Sequence, residues 1–195
     1  MERRTPILMI VAGLFALSSV ACNKGPADEA LRVAEASLVA APEVERYAPE
    51  EFAAVSAILG EARAAFAAGR YTEALRAAQV LPDRIAAAAA SAAKRKQQAA
   101  ATWSALSADV PPRLEALGAR LTALASASAT SSERLTAAQG EFATLRQGWA
   151  DATAEYERGD VPRAVAAAQD LRAKADLLAQ RLGLKPDLAA ASARR

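Results

Sequence analysis

Histidine is absent from this chain of 195 residues. That removes the commonest general base, the usual activator of a serine or cysteine nucleophile, and the commonest zinc ligand. There is one cysteine, Cys22, so no internal disulfide can form. The glycines at 60, 69, 118, 140, 148, 159 and 183 stand singly, and none sits in a phosphate-cradling loop. No segment alternates apolar and polar residues for a useful length, so strands are not expected. A formal charge of +2 gives no electrostatic footprint for a nucleic acid. Glu50 and Glu51 are adjacent and point to different parts of a helix surface, so they read as first-turn charges rather than an acid/base pair. Glu155 and Glu157 read as a solvated helix end. The expectation is a protein that is not an enzyme, with no catalytic residues, metal ligands or cofactor.

The N-terminus carries a definite signal. Arg3 and Arg4 precede the apolar run Ile7–Leu17, and small residues lead to Val20-Ala21-Cys22-Asn23. Taken on to Val20 the apolar stretch is 14 residues, short of the ~20 that span a bilayer, and Pro26, Asp28 and Glu29 prevent its extension. This order predicts a lipoprotein signal over 1–21, cleaved before Cys22, with lipid on the Cys22 sulfur. An ordinary secretory signal and an uncleaved anchor are the alternatives. Lipidation also accounts for a lone thiol in an exported chain, and two or three acyl chains anchor stably at about 0.8 kcal/mol per buried methylene. By likeness to such lipoproteins, Asn23 favours the outer membrane, facing the periplasm. The mature chain loses two bases and one acid, leaving a formal charge of +1.

Alanine dominates what remains. It is the best helix former but buries little area, and aromatic residues make up only 5%. Strong helices around a thin core are expected. A short tether (22–27) leads to a first helix, Glu29 to Ala41, capped by Asp28 and stopped by Pro42. A second opens at Pro49 and ends at Gly69. A third starts near Tyr71 with a kink or break near Pro82 and runs to about Leu106. Asp109-Val110-Pro111-Pro112 reads as the clearest break. A fourth helix covers Pro112–Ala127. A fifth opens with the capping box Thr130-x-x-Glu133 and runs to Arg158, and a sixth covers Val161–Leu182. The fold class is all-α: antiparallel helical hairpins forming a bundle. The halves are 28–108 and 109–183, followed by a disordered tail, 184–195.

The two hairpins match at an offset of 90 residues. Phe52, Val55, Leu59, Ala62, Phe66, Gly69, Tyr71, Ala74, Leu75, Ala78, Gln79 and Leu81 align with Phe142, Leu145, Trp149, Ala152, Tyr156, Gly159, Val161, Ala164, Val165, Ala168, Gln169 and Leu171. The first five of each set form one helical stripe. An internal duplication is expected, against two convergent hairpins. The turn is similar to that inside a tetratricopeptide repeat, but the 34-residue period of that repeat is absent. Trp103 and Trp149 read as packing residues, with a ligand platform as the alternative. Lys94-Arg95-Lys96 reads as a solvated face, against contact with anionic head groups or cell-wall polymer.

Tyr47-Ala48-Pro49-Glu50-Glu51, followed by Ala53, Leu59, Ala62, Phe66, Gly69, Tyr71, Ala74 and Ala78, resembles a family of short helical envelope lipoproteins of unknown function. Its members carry a lipobox, an Ala-Pro-Glu helix entry and a Gly-x-Tyr-x-x-Ala turn. The resemblance covers about a third of the chain and implies location and fold, with no catalytic residue or ligand. The expected function is a structural or adaptor lipoprotein. It would be held at the membrane by Cys22 and would bind an envelope protein or peptidoglycan through helix faces. A module accepting a peptide or small ligand between its hairpins is the alternative. Large apolar residues are too sparse to sustain coiled-coil heptads, so a monomer is favoured.

Overall fold

The computed structural model describes residues 23–127 and 132–184, and the described residues are helical with no strand. The elements are α1 (Lys24–Val39), α2 (Glu43–Tyr47), α3 (Pro49–Ala67), α4 (Tyr71–Gln79), α5 (Leu81–Ser126), α6 (Ser132–Glu157) and α7 (Val161–Arg181). The all-α class expected from sequence is observed. Cys22, the signal segment 1–21, the capping residue Thr130 and the tail beyond Leu184 lie outside the described residues.

Helix boundaries follow local chemistry. α3 begins at Pro49, whose missing N–H costs nothing at a first turn, with Glu50 and Glu51 at the positive end. It ends at Gly69 with φ of 74°. There the Arg70 N–H donates to the Ala65 carbonyl at 2.9 Å and the Gly69 N–H to Phe66 at 3.0 Å, a Schellman closure. The same closure recurs at Gly159, φ 83°, where Asp160 donates to Glu155 at 3.0 Å and Gly159 to Tyr156 at 2.9 Å. Gly183 ends α7 in the same way, with φ of 73°. The residues expected to form matching turns therefore form them, in identical hydrogen-bond patterns 90 residues apart.

A division between Arg95 and Lys96 separates two compact units. In the first, α1, α3, α4 and the start of α5 share a core of Leu31, Ala34, Val55, Leu59, Ala62, Ala78, Leu81 and Ile85. Ala27, Ala65 and Ala74 extend it beneath Phe66 and Tyr71, whose rings meet edge to face at 5.2 Å. In the second, Trp103, Leu106, Val110, Leu114, Leu117 and Leu121 of α5 pack on Ala138, Leu145 and Ala152 of α6 and on Ala164, Ala168, Ala175 and Leu178 of α7. Alanines on the α6–α7 seam let the backbones approach, as the composition implies.

Three sequence expectations are corrected. The first helix begins at Lys24, not Glu29, and Ala27 is fully buried. Residues 24–27 are thus helix and not tether, because Ala27 docks on Ala65 and Ala74. The short helix α2 was not foreseen; Val44 and Tyr47 are buried and hold it in place. Finally, α5 does not break at Asp109–Pro112 but continues through Pro111 and Pro112. Each proline denies a hydrogen bond to the carbonyl four residues earlier, here Ser107 and Ala108. Both are exposed, so water can satisfy the carbonyls, while the apolar stripe from Trp103 to Leu121 runs unbroken across the site. Near Pro82 the expected break is present: α4 stops at Gln79 and α5 restarts at Leu81.

Candidate functional site

The second unit carries a groove of 610 Å³ lined by α6 and α7 alone. Its floor is Leu145, Gly148, Ala152, Ala167 and Leu171. A Cβ at position 148 would sit 2.7 Å from Leu171 Cδ2, so glycine is what lets Leu171 settle against α6 here. The rims are charged. The α6 rim offers Glu141, Asp151 and Glu155, and the α7 rim offers Arg163, Lys174 and Arg181 with Asp170 among them. Between the α7 charges stands Leu177, 59% exposed.

The two rims form a ladder. At the open end Arg181 grips Glu141 with both terminal nitrogens, Nη1 at 3.0 Å from Oε1. That hydrogen bonding holds the Glu141 carboxyl below its ordinary value and raises Arg181. At the turn end Arg163 Nε lies 3.6 Å from Glu155 Oε1, which also takes Arg158 at 3.0 Å. Lys174 reaches back to Asp170 at 2.7 Å, and Gln147 donates to Asp151 at 2.9 Å. These are exposed pairs, each worth at most about 1 kcal/mol. They define the face more than they stabilise it.

α5 covers a different side of this hairpin. Arg113 Nη1 donates to Asp176 Oδ1 at 2.6 Å. Its Nε lies 2.9 Å from Asp109 Oδ1 without hydrogen-bond alignment. Arg120 caps α7 by donating to the Leu182 carbonyl at 3.0 Å. Trp103 enters between Trp149 and Tyr156: its ring lies 5.5 Å from the first and 4.6 Å from the second, within 8° of parallel to each. Residues seven apart on a helix are about 10.5 Å apart along its axis, which is room for one ring. Trp103 is only 7% exposed, and it packs the core instead of presenting a ligand platform.

Of the residues singled out in the sequence, Glu51 and Arg95 come together. Arg95 donates to Glu51 at 3.0 and 2.6 Å and to the Tyr47 carbonyl at 3.3 Å. Ser91 adds a bond to Glu51 at 3.1 Å. The Glu51 carboxyl is held below its ordinary value, first by its own backbone N–H and then by Ser91 and Arg95. The middle residue of the basic run is therefore turned onto α3, with its side chain 43% exposed. Among the described residues no cluster of acidic or cysteine side chains has the geometry of a metal site. No helix among them is long and apolar enough to cross a membrane.

Sequence reasoning missed the groove itself. Glu141 and Arg181 are 40 residues apart, and nothing in their local sequence announces the pairing. No family model, curated protein or solved structure matches this chain.

Proposed function

We propose that this protein is a lipid-anchored structural or adaptor lipoprotein of a bacterial cell envelope, docking a partner on the α6–α7 groove. The observation that carries the docking role is the groove: an apolar floor between one acidic and one mixed, mainly basic rim, with Leu177 left exposed. Support for the anchor is the order Arg3-Arg4, apolar run, Val20-Ala21-Cys22. Asn23 after the cysteine favours the outer membrane, facing the periplasm. The resemblance of Tyr47 to Ala78 to short envelope lipoproteins points the same way. The envelope partners consistent with this reading are a helical protein segment or peptidoglycan.

Two measurements test it. Labelled palmitate is expected to enter the wild-type chain and not Cys22→Ser; an unlabelled wild type removes the anchor. Capture from envelope extracts and sedimentation with purified cell wall are expected to depend on the groove charges. Equal recovery by wild type and by a chain with Glu141, Asp151 and Glu155 all changed to Lys removes the docking role.

A further inference from the structure

We infer that the groove on α6 and α7 docks the same groove of a second copy of this chain, about a two-fold axis parallel to the two helices. This rests on reading the groove as a docking face, and it names the occupant.

The argument is one of charge and level. The α6 rim carries three acids and the α7 rim three bases with one acid, so the face is polarised across its width. Levels along the groove are fixed by contacts: Glu141 is level with Arg181, Gly148 with Leu171, and Glu155 with Arg163. Two such faces can meet about a two-fold axis in only two orientations with the helices aligned. An axis across the helices lays α6 on α6 and α7 on α7, setting acid against acid and base against base. An axis along the helices lays α6 of each copy on α7 of the other and preserves every level. Glu141 then faces the other copy's Arg181, and Glu155 faces its Arg163. Leu177 lies midway between the Glu141 and Gly148 levels, so it descends onto the other copy's Thr144 and Gly148. The exposed leucine thereby meets the apolar surface that Leu171 of the other copy lays over Gly148. The one like-charge meeting is Asp151 with Asp170, and Asp170 already holds Lys174 at 2.7 Å.

Electrostatics of this kind select orientation and partner more than they add affinity. The area agrees with a modest association. α7 has 21 residues, about 32 Å of helix at 1.5 Å per residue. Two helices side by side present a strip about 20 Å wide, so each copy contributes roughly 600 Å². That is the lower edge of specific interfaces, where about 800 Å² per partner is standard. A weak dimer of this size fills when the chains are concentrated on one surface.

The test is charge exchange in the full chain, carried in detergent with Cys22→Ser so that lipid plays no part. One variant reverses the acidic rim (E141K, D151K, E155K) and the other the basic rim (R163E, K174E, R181E), with circular dichroism to verify folding. By sedimentation, wild type is expected to rise from one-chain to two-chain mass with concentration. Each variant alone needs at least roughly tenfold more protein to associate, and an equimolar mixture of the two recovers the two-chain species. A wild type that keeps one-chain mass throughout, or a mixture that does not recover, overturns the inference. Should a variant fail to fold, separately tagged chains carrying only Thr144→Cys or only Leu177→Cys decide it. The mixed disulfide must outrun either like-with-like disulfide; equal rates, or a 144–144 excess, overturn it. A one-chain wild type whose groove charges still govern capture from envelope extracts would make the occupant another protein. Self-association would then fall while the docking role stands.

Discussion

Trp103 is where the thin core of the second unit is most exposed to a single change. It is buried among an α5 stripe of leucines and valine, facing helices whose inward positions are largely alanine. It is also the ring wedged between Trp149 and Tyr156. Truncation to alanine removes transfer energy and leaves a cavity that helix–helix contacts through alanine cannot collapse to fill. The usual range for such a change is about 3–5 kcal/mol, and each lost aromatic pair accounts for about 0.5–1.5 kcal/mol of it. Against a typical domain stability of about 5–15 kcal/mol, that is a large fraction.

Urea unfolding followed by circular dichroism and by Trp149 fluorescence measures it. With a denaturant slope of about 2 kcal/mol/M, Trp103→Ala is expected to lower the midpoint of the second unit by roughly 2 M. The first unit, whose core does not include Trp103, should keep its own transition. Trp103→Phe retains a ring and loses less. The double variant with Tyr156→Ala should be milder than the sum of the single effects by about 0.5–1.5 kcal/mol, since one stack cannot be lost twice. A loss under about 1 kcal/mol for Trp103→Ala, or strict additivity with Tyr156→Ala, would refute the wedge.

Further outcomes follow from the same geometry. Gly60 lies inside α3, and a methyl group added there would meet nothing within 4 Å, whereas Gly69 has φ of 74°. Gly60→Ala should therefore raise stability by about 1 kcal/mol and Gly69→Ala lower it by at least that amount, opposite shifts in melting temperature. Arg113→Ala should destabilise the second unit by about 1–3 kcal/mol, because Asp176 loses its hydrogen-bond donor and Asp109 its nearest ion-pair partner; no change in the urea midpoint would show the bridge to be idle. Glu141 and Glu51 have carboxyls held below the ordinary 4.5, so their contribution is present above that value. It is lost as pH falls through the lower folded value. The urea midpoint should thus decline on acidification below about pH 4.5, and Glu141→Gln should flatten that decline in the second unit.

How much of this was legible beforehand depends on how local the cause is. Gly69 and Gly159 announced their turns because a left-handed residue after an apolar stripe has few other uses, and both closures formed as read. Pro82 announced a break, and one is present between Gln79 and Leu81. Pro111 and Pro112 misled because the same local penalty was outweighed by tertiary burial. Val110 is fully buried and Leu114 nearly so on either side of them, and exposed carbonyls make the loss cheap. Ala27 misled in the opposite sense, since an alanine in a polar stretch looks like linker until Ala65 and Ala74 cover it. The Lys94-Arg95-Lys96 run looked like one surface feature, yet Arg95 is drawn to Glu51, 44 residues away, which composition cannot reveal.

The groove belongs to this last class, and the 90-residue offset shows why it matters. Positions that make the turn are the same in kind: Ala62 and Ala152, Ala74 and Ala164, Ala78 and Ala168 are all buried. Positions on the groove face are not. Ile58 corresponds to Gly148, Ala65 to Glu155, Glu73 to Arg163, Val80 to Asp170, Ala87 to Leu177 and Ser91 to Arg181. Folding of the hairpin needs only the first set, because those residues set how closely the two helices approach. The second set adds a recessed floor, opposed charged rims and an exposed leucine to one hairpin and not the other. The charges and Leu177 contribute little to stability, since the added ion pairs are largely exposed and an exposed leucine buries little. Their concentration on one face is what a docking surface requires, and it is why a charge-exchange experiment confined to that face can separate recognition from folding.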